Sequence, residues 1–135
     1  MSPTSALRLF ISLYWAMGIL SAVVPLVLPG WPPETLKAWV AEEEARDLPL
    51  ALLPTLATIA IASIVSSIAL LRLRRWGAPV FLVSGLLSYG AIALLGPQVT
   101  PGVAYLFEVG AAISAGLVIA LCYWSDALRP EPKNA

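Results

Sequence analysis

The chain has 135 residues, 59% hydrophobic and 12% charged, with eight basic side chains, eight acidic ones and no histidine. Soluble domains average roughly 45 to 50% apolar residues, so this composition, with a mean hydropathy of +0.86, points to a membrane protein. A net charge of zero leaves no basic surface to displace phosphate counterions, which argues against a nucleic-acid partner.

A bilayer-spanning helix takes about 20 mostly apolar residues, and four segments qualify: 9–28, 48–71, 77–95 and 103–124. They predict an all-α fold, an antiparallel four-transmembrane-helix bundle forming one membrane domain over residues 1–135. No room is left for a soluble catalytic domain, so any chemistry is confined to the membrane or its surface.

The first span carries Tyr14 and Trp15 near its start and Pro25 near its end. Its apolar run exceeds the 7 to 15 residues of a secretory h-region and no A-x-A-like site follows, so it is expected to stay as a span. The loop after it opens with Pro29, Gly30, Trp31, Pro32 and Pro33, then reads as a short amphipathic helix over 33–47. Glu34 complements the positive end of that helix. Leu36, Trp39 and Val40 fall on one face, with Glu42 and Arg46 paired four residues apart on another. The spacing predicts a helix lying on the membrane as a lid that covers the bundle and shields helix ends; the alternative is that its acidic side of Glu42, Glu43, Glu44 and Asp47 offers a docking face to a basic partner.

The second span is rich in small and hydroxyl residues: Thr58, Ala62 and Ser66 form a four-residue row with Ser63 and Ser67 beside it. Such rows let helices approach closely, and their hydroxyls bond across helices or back to their own carbonyls. Arg72, Arg74, Arg75 and Trp76 end the span at an interface, as a topology signal or a lipid-headgroup site. The third and fourth spans are joined by the uncharged turn Gly96–Gly102.

Glu108 is the one charged residue within any of the four spans. It stands in the row Ala104, Glu108, Ala112, Gly116, Ala120, which predicts that it points at another helix. Tyr89, Ser88 and Thr55 lie at similar depth and are its candidate partners. A carboxyl in hydrocarbon without a cationic partner favours its neutral, hydrogen-bonding form, and charged groups at this depth mark functional sites. Glu108 is thus the binding or coupling candidate, with a structural hydrogen-bonding role as the alternative.

Six basic residues, Arg8, Arg72, Arg74, Arg75, Arg129 and Lys133, fall on one side of a four-span topology, against Lys37 and Arg46 on the other. The positive-inside rule then predicts cytoplasmic N- and C-termini in a cell (inner) membrane. A single cysteine, Cys122, and the lack of histidine remove the common zinc and haem ligand sets, so no metal or cofactor is expected. No phosphate loop, HExxH, GxSxG or CxxC motif is present, and no catalytic residue is identified.

Gly96, Pro97 and Val99, followed by Gly116, Tyr123, Ser125 and Arg129, form a Gly-Pro-x-Val turn and a small-residue helix ending in Tyr-x-Ser-x-x-x-Arg. In this last third the chain resembles small uncharacterised four-helix bacterial inner-membrane proteins, a resemblance that implies location but no activity. The function expected is that of a non-enzymatic integral membrane protein acting by intramembrane protein–protein interaction, as an accessory subunit or an immunity-like protein. The alternatives are a small oligomeric proton-coupled transporter using Glu108 and a lipid-modifying enzyme. Besides the lipid bilayer, a membrane-protein partner or a homo-oligomer is expected.

Overall fold

The computed structural model describes residues 2–44, 52–95 and 99–128. Five α-helices follow in order: α1 (Pro3–Val27), α2 (Glu34–Glu44), α3 (Leu52–Leu71), α4 (Gly77–Leu95) and α5 (Gly102–Trp124), then a 3₁₀ turn at Asp126–Leu128. No strand occurs among the described residues. By length and composition α1, α3 and α5 are each able to cross a membrane, while α4 is apolar over Gly77–Ala93 and shorter.

Local chemistry sets several of the helix ends. Ser2 caps α1 by accepting from the Ser5 N–H at 3.2 Å, and Pro3, whose missing N–H costs nothing in a first turn, starts the helix. It therefore begins six residues before the apolar run does. At the far end of α3 the Arg74 N–H bonds the Ala69 carbonyl at 2.8 Å and the Leu73 N–H bonds Leu70 at 2.9 Å. This paired closure normally uses glycine; here Leu73 takes the left-handed conformation, φ 57°, at about 1–2 kcal/mol. Its side chain packs on the hydrophobic core, which offsets that strain.

The helices associate as two antiparallel pairs, α1 along α5 and α3 along α4, with sparse contact between pairs. Both pairs are joined at one end, called here the basal end, where α1 and α4 begin and α3 and α5 finish. Leu7, Ile11, Leu70, Ala78, Phe81, Val118 and Ala127 form the buried core there. Tyr14 meets Phe81 edge-on with ring centroids 5.5 Å apart, and Arg75 Nε donates to the Leu128 carbonyl at 3.1 Å.

Several hydroxyls are satisfied within their own helices. Ser66 and Ser67 donate to Ser63 O, Ser84 to Phe81 O, Ser88 to Ser84 O, Ser114 to Gly110 O and Thr58 to Pro54 O. Of the two uses open to them, these side chains take the local one, and their small size serves packing: Ser63, Ser66, Ser67, Ser84 and Ser114 are all buried. Thr58 is exposed, so only part of its predicted row faces the neighbour.

The α2 segment follows its predicted face, with Leu36, Trp39 and Val40 partly buried and Glu34, Thr35, Lys37, Ala38 and Glu42 exposed. Lys37 pairs with Glu34. Of the predicted acidic face only the Glu42 side chain is described; those of Glu43, Glu44 and Asp47, along with Arg46, lie outside the described residues. Gly96, Pro97 and Arg129 also lie outside them.

Two glycines test how the pairs are built. A Cβ on Gly77 would sit 2.9 Å from the Ser66 carbonyl oxygen and 3.0 Å from Ala69 Cβ, so helix backbone would have to move. A Cβ on Gly110 would meet only the Met17 thioether, at 3.4 Å. Gly77→Ala is expected to lower stability in detergent by about 1–3 kcal/mol. Gly110→Ala, which gains helix propensity against a side chain free to shift, is expected to be neutral or stabilising by up to about 1 kcal/mol. Denaturant or thermal unfolding of both variants checks the contrast.

Candidate functional site

The sequence expectation for Glu108 requires correction, for the side chain is exposed on α5. The reason lies in helix geometry. A helix of 3.6 residues per turn carries a four-residue row about 40° further round at each step, so the row from Ala104 to Ala120 winds off the buried face instead of staying on it. The stripe that packs is Ala104, Ala111, Ser114 and Val118, whose spacings of seven and three or four follow one side of the helix.

Glu108 nevertheless holds a defined side of α5. Seven and eleven residues on, in nearly the same direction, Ala115 and Ile119 pack against the basal core. Closer to α2 that direction is open. On α1, Gly18 lies seven residues after the buried Ile11 and Ala22 lies eleven after it, placing both on the same side of the helix, yet both are exposed. Nothing lies within 4 Å of a Cβ built on Gly18 or on Gly85 of α4. Tyr89, eleven residues after the buried Ala78, is 58% exposed. The pairs meet basally and touch little elsewhere, and the exposed Gly18, Ala22, Tyr89 and Glu108 mark the open region toward the other end, called here the wedge.

Among the described residues no hydrogen bond joins Glu108 to its predicted partners. Ser88 gives its hydroxyl to Ser84 O at 2.8 Å, and Thr55, exposed near the start of α3, also has an interaction of its own. Glu108 itself makes no hydrogen bond or ion pair among the described residues. No group of metal-ligating side chains exists among the described residues either.

The second polar feature is the Arg72–Trp76 turn, which closes α3 at the basal end. Arg72, Arg74 and Arg75 are exposed, and Arg75 borders a small cavity between α4 and the end of α5. Sequence reasoning singled out the arginines but not this cavity, which depends on where α5 ends relative to α4.

No protein-family model, curated protein or solved structure matches the chain. Function must therefore be argued from these two sites.

Because no described side chain relies on Glu108, Glu108→Ala is expected to change the stability of the isolated chain by no more than about 0.5 kcal/mol, as for other unpartnered surface positions. Unfolding in detergent checks this. A loss of several times that size would mean that the carboxyl is bonded inside the fold.

Proposed function

We propose that this is a four-span, non-enzymatic membrane protein that acts by intramembrane protein–protein interaction, with the wedge beside Glu108 as its contact surface. The carrying observation is an acidic side chain exposed on a span, without a partner among the described residues. A charged group facing lipid costs about 2.5–3.5 kcal/mol at the centre of a span and less toward its end, and Glu108 stands six residues after the start of α5. A partner helix that supplies a donor or a cation removes that cost. The exposed Gly18 and Ala22, and Gly85 with no atom within 4 Å of a Cβ built on it, favour the same reading, since small residues let helix backbones come close where lipid gives no hydrophobic drive.

Four spans are favoured over three because α4 lies antiparallel along α3, and a helix paired along a span occupies the same depth. With cytoplasmic termini the basal end, with Arg8 and the three-arginine turn, faces the cytoplasm, and α2 lies on the outer surface on its partly buried Leu36, Trp39 and Val40. An accessory subunit or an immunity-like protein fits this arrangement.

Photo-crosslinking groups placed at Tyr105 and Val109, exposed positions on α5 close to Glu108, are expected to capture a membrane protein in native membranes. The same groups at Leu20 on α1 are expected to capture far less. Glu108→Leu is expected to abolish capture while leaving the fold intact. Undiminished capture by that variant, or proton-dependent flux through the purified chain in liposomes, would overturn the reading. Reporter fusions check the topology separately: Ala135 is expected to report cytoplasmic and Ala41 external.

A further inference from the structure

The geometry points to a binding site for one anionic phospholipid at the basal end of α4, with its phosphate at Arg75 and an acyl chain along the α3–α4 groove. Two cavities carry the inference. One, about 290 Å³, is lined by Arg75, Ala78, Pro79, Cys122, Tyr123 and Leu128, with Ser125. The other, about 270 Å³, is apolar and runs between α3 and α4 past Ile59, Ala62, Pro79, Val83 and Leu87. Pro79 lines both, so a polar chamber adjoins a hydrocarbon-like groove, the order of polarity found along a phospholipid.

The polar chamber suits an anion. Arg75 is anchored through Nε to the Leu128 carbonyl at 3.1 Å, which fixes the guanidinium at the rim. Its remaining N–H groups make no ion pair among the described residues, and a guanidinium fork matches the oxygens of a phosphodiester. The Tyr123 hydroxyl is also without a hydrogen-bond partner among the described residues. Ser125 is committed, donating to Leu121 O and accepting from the Ala127 N–H at 3.2 Å, so it shapes the wall and leaves Arg75 and Tyr123 to bind. Trp76 and Trp124, exposed at 52% and 84%, stand at the same end, and indoles favour the headgroup level. The groove then descends from Pro79 to Leu87, about 12 Å at 1.5 Å per residue, a length that takes much of an acyl chain. Basic pockets between membrane helices bind anionic headgroups on this chemistry.

The site is independent of the Glu108 wedge and survives if that reading fails. Native mass spectrometry of the full chain, released from detergent after addition of phosphatidylglycerol or phosphatidylcholine, tests it. The wild type is expected to retain one phosphatidylglycerol with at least about tenfold preference over phosphatidylcholine. Arg75→Gln is expected to bind it about tenfold more weakly or worse, as for a lost charge-assisted hydrogen bond. Val83→Trp, which fills the groove at an exposed position, is expected to weaken binding too, and Arg72→Gln to change it less than about twofold. Free glycerol phosphate is expected not to displace the lipid. Equal retention of both lipids, equal losses from Arg75→Gln and Arg72→Gln, or displacement by glycerol phosphate would each overturn the proposal. Should Arg75→Gln fail to fold, Val83→Trp decides: unchanged retention then overturns it.

Discussion

The basal junction, where Phe81 and Tyr14 meet edge-on above Leu7, Ile11 and Leu70, is the contact on which the rest of the arrangement depends. It joins two helix pairs that otherwise touch little. Gly77 makes it possible, because the start of α4 must pass within a carbonyl's reach of Ser66. The Leu73 turn delivers the chain to that point with a left-handed residue and a side chain packed into the same core. Two helices forced together at their connection and held to another pair only at that end leave the opposite end open. The wedge beside Glu108 is therefore a consequence of where the packing is, and not a separate feature.

Polarity is distributed by the same logic. A helix exposed to lipid has nothing outside itself to bond, and Ser66, Ser67, Ser84 and Ser114 return their hydroxyls to carbonyls of their own helices. Among the described residues no buried side-chain nitrogen or oxygen is left without a partner. Glu108 breaks this economy. It is exposed, with no hydrogen bond or ion pair among the described residues, and on the proposed reading an external partner answers it.

Much of the fold was legible because long apolar runs bounded by charge and proline determine long helices almost unaided. The ends of α4 and α5 fall within a residue of the apolar limits, and the Leu36, Trp39, Val40 face of α2 appears as its spacing implies. Facing was much less legible. In a helix that is apolar all round, burial and lipid contact select the same residue types, so hydropathy gives no sign that α1 pairs with α5. The row of small residues through Glu108 was a poor guide for a related reason: spacing by four alone does not hold one face of a 3.6-residue helix, whereas Ala104, Ala111 and Val118, seven apart, do. Nor does any sequence rule announce a leucine at a position that glycine normally takes, since Leu73 is retained by core contacts made far along the chain.

The distribution of charge between the two ends constrains what the open wedge can meet. Lys37, the one basic side chain described at the α2 end, is already paired with Glu34, while Glu42 is exposed there and Glu108 lies below it on α5. The free positive charge of Arg72, Arg74 and Arg75 is at the basal end, roughly the length of a span away, where it is of no use to Glu108 because screening and distance both weaken the attraction. On the proposed reading, complementarity then asks for a partner segment with a cation or strong donor in its outer half and basic residues just beyond it. A second copy of this chain meets that requirement poorly in parallel, since it would set Glu108 against Glu108 and one acidic α2 end against another. Two carboxyls sharing a proton can be tolerated, but the extramembrane repulsion would remain, so the charge pattern favours a different protein over self-association as the occupant of the wedge.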